Sequence, residues 1–282
     1  MKLLRYGPKG QEKPGVVDAE GNIRDLSTHI DDIAGDALSD ASLARLRAID
    51  PATLPLVRGE PRIGACVGRV GKMVCIGLNY ADHAAESNMP IPSEPVVFNK
   101  WTSAIVGPND DIEIPRGSKK TDWEVELGVV IGRPCKYVEE ANALDYVAGF
   151  CIINDVSERE WQIERGGQWD KGKGFDTFGP LGPWLVTRDE IADPQQLHLW
   201  LEVDGHRYQN GNTRTMIFTV AKLVSYLSQC MSLQPGDVIS TGTPPGVGLG
   251  IKPEPVYLKA GQTIRLGIEG LGEQRQRTVA AE

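Results

Sequence analysis

Two glutamates one residue apart, Glu124 and Glu126, lie in the run Asp122-Trp123-Glu124-Val125-Glu126-Leu127-Gly128-Val129-Val130-Ile131. Val125, Leu127, Val129 and Ile131 alternate, which is strand periodicity. On a strand, residues i and i+2 share a face, so both carboxylates project to one side. Asp155 closes another apolar run, Ile152-Ile153-Asn154-Asp155, and offers a third carboxylate if the fold brings it there. Each like-charged pair at about 4 Å would repel by about 4 kcal/mol at an effective dielectric near 20. A divalent cation removes that penalty, and an all-oxygen ligand set suits Mg²⁺, Mn²⁺ or Ca²⁺ rather than zinc. Plainer roles compete: the glutamates as a solvated strand edge, and Asp155 as a helix N-cap.

His83 and Glu86 stand three apart in Gly77-Leu78-Asn79-Tyr80-Ala81-Asp82-His83-Ala84-Ala85-Glu86. On a helix that spacing shares a face, so Glu86 could hold the imidazole in one tautomer while its other nitrogen takes a proton from water. A surface histidine beside a helical neighbour has the same spacing. Gly167 to Lys173 fits G-x-x-x-x-G-K, but residue 174 is Gly where a phosphate-binding loop needs Ser or Thr, and the preceding residues are polar. Nucleotide binding is therefore rejected, which leaves Lys173 as a solvated charge or a contact to an oxyanion. Thr241-Gly242-Thr243-Pro244-Pro245-Gly246-Val247-Gly248 ends a strand in a Gly-rich loop. Its N–H groups and Thr243 suit an anion, or the loop is a structural turn; it lacks the dinucleotide fingerprint.

The elements that must carry these residues are short. Gly at 32 and Pro at 19 in 282 residues favour many turns and strands over a helical bundle. Residues 1–70 read as a small separate unit: a strand-turn-strand at 16–23, a helix at 39–49, and an extended linker through Pro51, Pro55 and Pro61. Residues 71–282 read as the catalytic domain, with a helix between Ile217 and Met231 and a hairpin at Asp204-Gly205. The fold class is a β-rich α+β.

The net charge of −8 argues against a nucleic-acid or anionic-membrane binder. Five cysteines with no C-x-x-C pair read as small buried hydrophobes in a reducing compartment. No run resembles a signal peptide or a transmembrane span, so the cytoplasm is the expected address.

Together these segments resemble the fumarylacetoacetate hydrolase family. The matching pieces, in the family's order, are Gly77–Tyr80 with His83 and Glu86, Asp122–Leu127, Asn154–Ser157 with Arg159, Lys173 with Phe175-Asp176, and Thr241–Gly248. The resemblance implies a rolled, mixed β-structure, normally dimeric, with Glu124, Glu126 and Asp155 holding Mg²⁺ or Mn²⁺. It implies a water-activating dyad of His83 and Glu86, with Lys173 at the substrate or transition state. Tyr80, Lys100, Arg159, Gln168, Gly242 and Thr243 are then expected to contact a small anionic oxo acid. Trp101 stands where many relatives have Pro or Ser, Gly174 where Ser is common, and Glu158 where Ala is common.

The expected reaction is hydrolysis of a carbon–carbon bond in a 2,4-dioxo acid, an acylpyruvate or a diketo-deoxy sugar acid. The same site would serve a ureidoglycolate lyase, an oxaloacetate decarboxylase or a keto–enol isomerase. A binding module that merely kept the fold is disfavoured by the intact set of acids, His83, Glu86 and Lys173.

Overall fold

Alternating apolar residues and frequent Gly/Pro breaks produce a chain of short strands. The computed structural model describes residues 1–86 and 90–282. The amino-terminal part carries β1 (Lys2–Tyr6), β2 (Lys13–Val17), β3 (Ile23–Asp25) and helix α1 (Asp40–Arg47). Then follow β4 (Met73–Gly77), α2 (Ala81–Glu86), β5 (Val96–Lys100), β6 (Ile105–Val106) and β7 (Ile112–Ile114). The site-bearing stretch holds β8 (Thr121–Asp122), β9 (Val125–Ile131), β10 (Val147–Asn154), β11 (Ser157–Glu158) and the single turn α3 (Asp170–Lys173). It is followed by β12 (Gly179–Thr187), β13 (His198–Val203), β14 (His206–Asn212) and α4 (Val220–Cys230). The chain closes with β15 (Val238–Ser240), β16 (Thr263–Ile268) and β17 (Gly272–Ala280).

These strands form a ten-stranded sheet, ordered β3-β2-β1-β12-β10-β9-β15-β4-β5 with β6 also on β12, and a five-stranded sheet, β14-β13-β16-β17-β7. The large sheet is mixed, because β15 runs parallel to β4 and β6 parallel to β12 while their neighbours are antiparallel. The β-rich α+β expectation holds, as do the hairpin at Asp204-Gly205, where both residues have positive φ, and the carboxy-terminal helix, which Thr219 caps.

The stretch read as a small unit at 1–70 shares a sheet and a core with the body. Strand β1 pairs antiparallel with β12, so β1–β3 extend the body's sheet. Leu3, Val16, Leu26, Leu43 and Leu46 share one hydrophobic core with Cys75, Val130, Ile153 and Leu185. The physical reason is edge satisfaction: three short strands with one apolar face are not stable alone, and the open edge of β12 supplies both hydrogen-bond partners and burial.

Strand β9 sits between two cores and is buried at every position. Val125, Leu127, Val129 and Ile131 enter the larger core with α4, while Val130 enters the core shared with the amino-terminal strands. Each fully buried Val, Leu or Ile contributes about 1.5–3 kcal/mol, so the strand under the two glutamates is firmly held. Gly128 lets β10 approach: a Cβ there would lie 2.6 Å from Cys151 Sγ. Among the described residues no helix is long and apolar enough to cross a membrane. Four cysteines are buried, whereas Cys230 is exposed at the end of α4, against expectation.

Candidate active site

The carboxylates meet where β9 and β10 end together. Glu124 immediately precedes β9, and the antiparallel ladder continues one step beyond it, with Asp155 N–H donating to the Glu124 carbonyl at 2.9 Å. Glu124, Glu126 and Asp155 each offer an oxygen, and the three oxygens lie within 4.8 Å of one another in a buried position. Period-two geometry thus does what the sequence predicted for the glutamates, and the β9–β10 register adds Asp155. The N-cap role is not the one observed: Asp155 faces cations.

Three buried cations answer these acids. The Lys173 ammonium bridges Glu124 Oε2 and Asp155 Oδ2, both at 2.7 Å. Lys100 donates to Asp155 Oδ1 at 2.7 Å and to the Val156 carbonyl at 2.9 Å. Arg159 spans Glu124 Oε1 at 2.7 Å and Asp122 Oδ2 at 2.8 Å. Burial disfavours the charged form of Lys173, but Asp155 and Glu124 overcome it and push the ammonium up to about 12. Burial likewise opposes ionisation of Glu124, yet Lys173 and Arg159 prevail and hold it at about 2.

Glu126 is different. Its Oε2 accepts from Ser240 Oγ at 2.6 Å and from Gly242 N–H at 2.8 Å. Among the described residues it has no ion-pair partner. Burial first, then the charges of Asp155 and Glu124, push its carboxyl well above the usual carboxylate range. A buried, all-oxygen set with one uncompensated carboxylate suits a hard divalent cation in chemistry and in charge. The residues present therefore fit Mg²⁺ or Mn²⁺.

His83 and Glu86 lie side by side on α2. His83 Nδ1 lies 3.2 Å from Glu86 Oε2 across one turn of α2. The entry to α2 is fixed by Asn79, whose side chain bonds the Phe218 carbonyl (3.0 Å), the Thr241 carbonyl (2.8 Å) and the Phe218 N–H (2.8 Å). Leu78 just before it takes φ +53°, a left-handed conformation that costs a non-glycine residue about 1–2 kcal/mol. Glu86 also accepts from Gly246 N–H at 3.3 Å, which ties α2 to the Gly-rich loop.

Both groups line one cavity of about 400 Å³, together with Glu124, Glu126, Arg159, Lys173 and Thr243. The opposite wall is apolar, from Ile76, Phe98, Ile163, Trp169, Val247 and Leu249.

The substrate contacts expected from resemblance are placed unevenly. Arg159 and Thr243 line the cavity, although the Thr243 hydroxyl already donates to the Val125 carbonyl and accepts from Gln209. Lys100, Tyr80, Gln168 and Gly242 do not line it. Lys100 is buried behind Asp155, because a β5 side chain on that face reaches the far side of the carboxylate. Tyr80 is fully buried, and its hydroxyl has no hydrogen-bond partner among the described residues. Gln168 is exposed, and its neighbour Trp169 turns inward instead. Gly242 spends its N–H on Glu126. Lys120 pairs with Glu164 at the surface.

Asp122 was overlooked as a functional residue. It binds Arg159 on one side and the N–H groups of Gly248 (2.6 Å) and Leu249 (3.0 Å) on the other, so it anchors the loop that closes the cavity. The signal was available: Asp122, Glu124 and Glu126 continue one period-two series of acids. Gln162, which accepts from Arg159 at 3.0 Å, and Trp169 carried no comparable signal.

A family model described as fumarylacetoacetate (FAA) hydrolase, C-terminal, matches residues 72–279. The chain belongs to the fumarylacetoacetate hydrolase family and is a hydrolase-type enzyme of it. A Burkholderia multivorans protein named as a hydrolase, with no substrate stated, is 81% identical over 281 residues and covers 100% of both chains. The structure of fumarylacetoacetate hydrolase from Exiguobacterium antarcticum superposes with TM-score 0.86 at 36% identity over 100% of both chains. Maleylpyruvate hydrolase from Sphingobium sp. SYK-6, solved with manganese(II) and pyruvate, gives TM-score 0.81 at 28% identity, again over 100% of both.

Proposed function

We propose that the chain hydrolyses a carbon–carbon bond in a 2,4-dioxo acid, with Mg²⁺ or Mn²⁺ on Glu124, Glu126 and Asp155. The observation that carries this reading is one cavity lined by Glu124, Glu126, the His83–Glu86 pair and the Lys173 ammonium, with Asp155 clustered against the two glutamates. The family membership and the pyruvate- and manganese-bound relative support it.

When bound, the ion would act as a Lewis acid towards the substrate's 1-carboxylate and 2-oxo oxygen. Glu86 on Nδ1 leaves Nε2 of His83 as the basic nitrogen, which takes a proton from water as the oxygen attacks the 4-oxo carbon. The bond between carbons 3 and 4 then breaks, and its electron pair passes to carbon 3 as the enolate of pyruvate. The imidazolium returns the proton to carbon 3. Lys173, held cationic by Glu124 and Asp155, places positive charge where oxyanion character develops. The apolar wall of Phe98, Ile163, Trp169 and Leu249 accommodates the acyl group and excludes water from the rest of the cavity.

The test is pyruvate release from a simple acylpyruvate after chelator treatment and re-addition of Mn²⁺ or Mg²⁺. Pyruvate that appears only with metal supports the proposal; glyoxylate from ureidoglycolate, or carbon dioxide from oxaloacetate, in its place would overturn it.

A further inference from the structure

Lys100 and Lys173 hold the two oxygens of Asp155, at 2.7 Å each, from β5 and from α3. The residues that follow them, Trp101 and Gly174, touch. A Cβ on Gly174 would stand 2.5 Å from Trp101 Cε3 and 2.8 Å from Cδ2, closer than real Cβ atoms come. The indole therefore fills the space that a side chain at 174 would need. Bulk at 101 thus demands none at 174.

A single turn such as α3 is not held by its own hydrogen bonds. Outside ties hold it on two sides. Gly172 packs closely on the backbone of Glu158 and Gln162, and Lys171 reaches the Arg165 carbonyl. Towards β5, Asp170 Oδ1 accepts from Asn99 N–H at 2.9 Å and the Trp101 ring lies against Gly174, while the Lys173 ammonium reaches the carboxylates. Trp101 is 53% exposed, so its ring adds little to either core and its contact with Gly174 stands out.

We propose that Trp101 is a positioning residue: its ring, laid on Gly174, clamps the end of α3 to β5 and so fixes the Lys173 ammonium between Glu124 and Asp155. The proposal deepens the functional reading above and rests on it for the role of Lys173.

The test is a double-mutant cycle of W101A, G174A and W101A/G174A in the full-length protein, with W101F as the conservative variant. Backbone hydrogen exchange over residues 168–175 is measured on the metal-free proteins, beside kcat and KM for an acylpyruvate with Mn²⁺. W101A is expected to speed exchange in this segment and to lower kcat about tenfold or more, with KM nearly unchanged, as a small misplacement does. W101F recovers most of both. G174A damages the wild-type background but adds almost nothing once Trp101 is gone, which is the signature of residues in contact. Wild-type exchange and kcat in W101A would overturn the clamp, as would additive effects of the two changes. Should G174A fail to fold, W101A and W101F still decide. Absence of turnover in the wild type would defeat the functional reading, while the exchange and its reversal by W101F still judge the clamp.

Discussion

Lys100 and Asp155 form an ion pair at 2.7 Å whose two side chains are shut off from solvent. It lies behind the cavity, so its role is to hold a carboxylate that other groups use from the front. Removing one partner of a buried pair leaves the other uncompensated, at a cost of about 3–5 kcal/mol. Lys100→Met should lower the unfolding free energy by that much, read as a lower urea midpoint with little change in slope. Wild-type stability would mean that Lys173 alone suffices for Asp155.

His83 should separate chemistry from metal binding. It lines the cavity but is not among the clustered carboxylates. His83→Ala is expected to cut kcat by about 10²–10⁴, the usual range for general acid–base catalysis. Mn²⁺ affinity by calorimetry should stay near the wild-type value. Substantial residual turnover would remove the dyad from the mechanism.

Glu126 links metal to protons. Because burial and the neighbouring acids raise its folded pKa, its proton is retained in the metal-free protein where a free glutamate would have ionised. A raised folded pKa means the associated stability is present below the unfolded pKa and is lost as pH rises through the folded one. Mn²⁺ binding should therefore release protons, seen as a dependence of binding heat on buffer ionisation. Glu126→Gln should abolish that release and weaken Mn²⁺ by about tenfold or more, while the metal-free variant is at least as stable as wild type. Unchanged proton release in the variant would refute the assignment.

Asp110 joins the amino-terminal strands to the body through Arg62, whose guanidinium donates to both its oxygens, at 2.7 and 2.5 Å, and to Glu12 at 2.9 Å. Burial tends to raise the Asp110 carboxyl, but the Arg62 hydrogen bonds and charge win and lower it. With a depressed folded pKa, the stabilisation is present above the unfolded value near 3.9 and is lost as pH falls through the folded one. Asp110→Asn should cost about 1.5–3 kcal/mol near neutral pH, the range for hydrogen bonds to charged groups. That difference should shrink in acid unfolding curves; a constant difference would show that charge is not involved.

Sequence reading reached furthest where the physics is local. Strand period placed Glu124 and Glu126 on one face, and helical spacing paired His83 with Glu86; the glutamates offer oxygens within 4.8 Å of each other, and His83 Nδ1 lies 3.2 Å from Glu86 Oε2. In the P-loop-like run, residues 170–173 form the turn that delivers Lys173 to Glu124 and Asp155. Lys100 and Gln168 lie outside the cavity lining, a placement that a motif position cannot give because it does not say on which side of a sheet or loop a side chain falls.

By itself, the sequence determined the β-rich class, the acidic face of β9, the pairing of His83 with Glu86 and the family, since each depends on residues within a few positions of one another or on motif order. Only the tertiary structure decided that β1–β3 complete the body's sheet, that Asp122 anchors the closing loop, and that Lys100 stands behind Asp155 rather than in the cavity. Those are contacts across tens of residues. They are set by which strand edges pair and which buried charges find partners, and no local period encodes that choice.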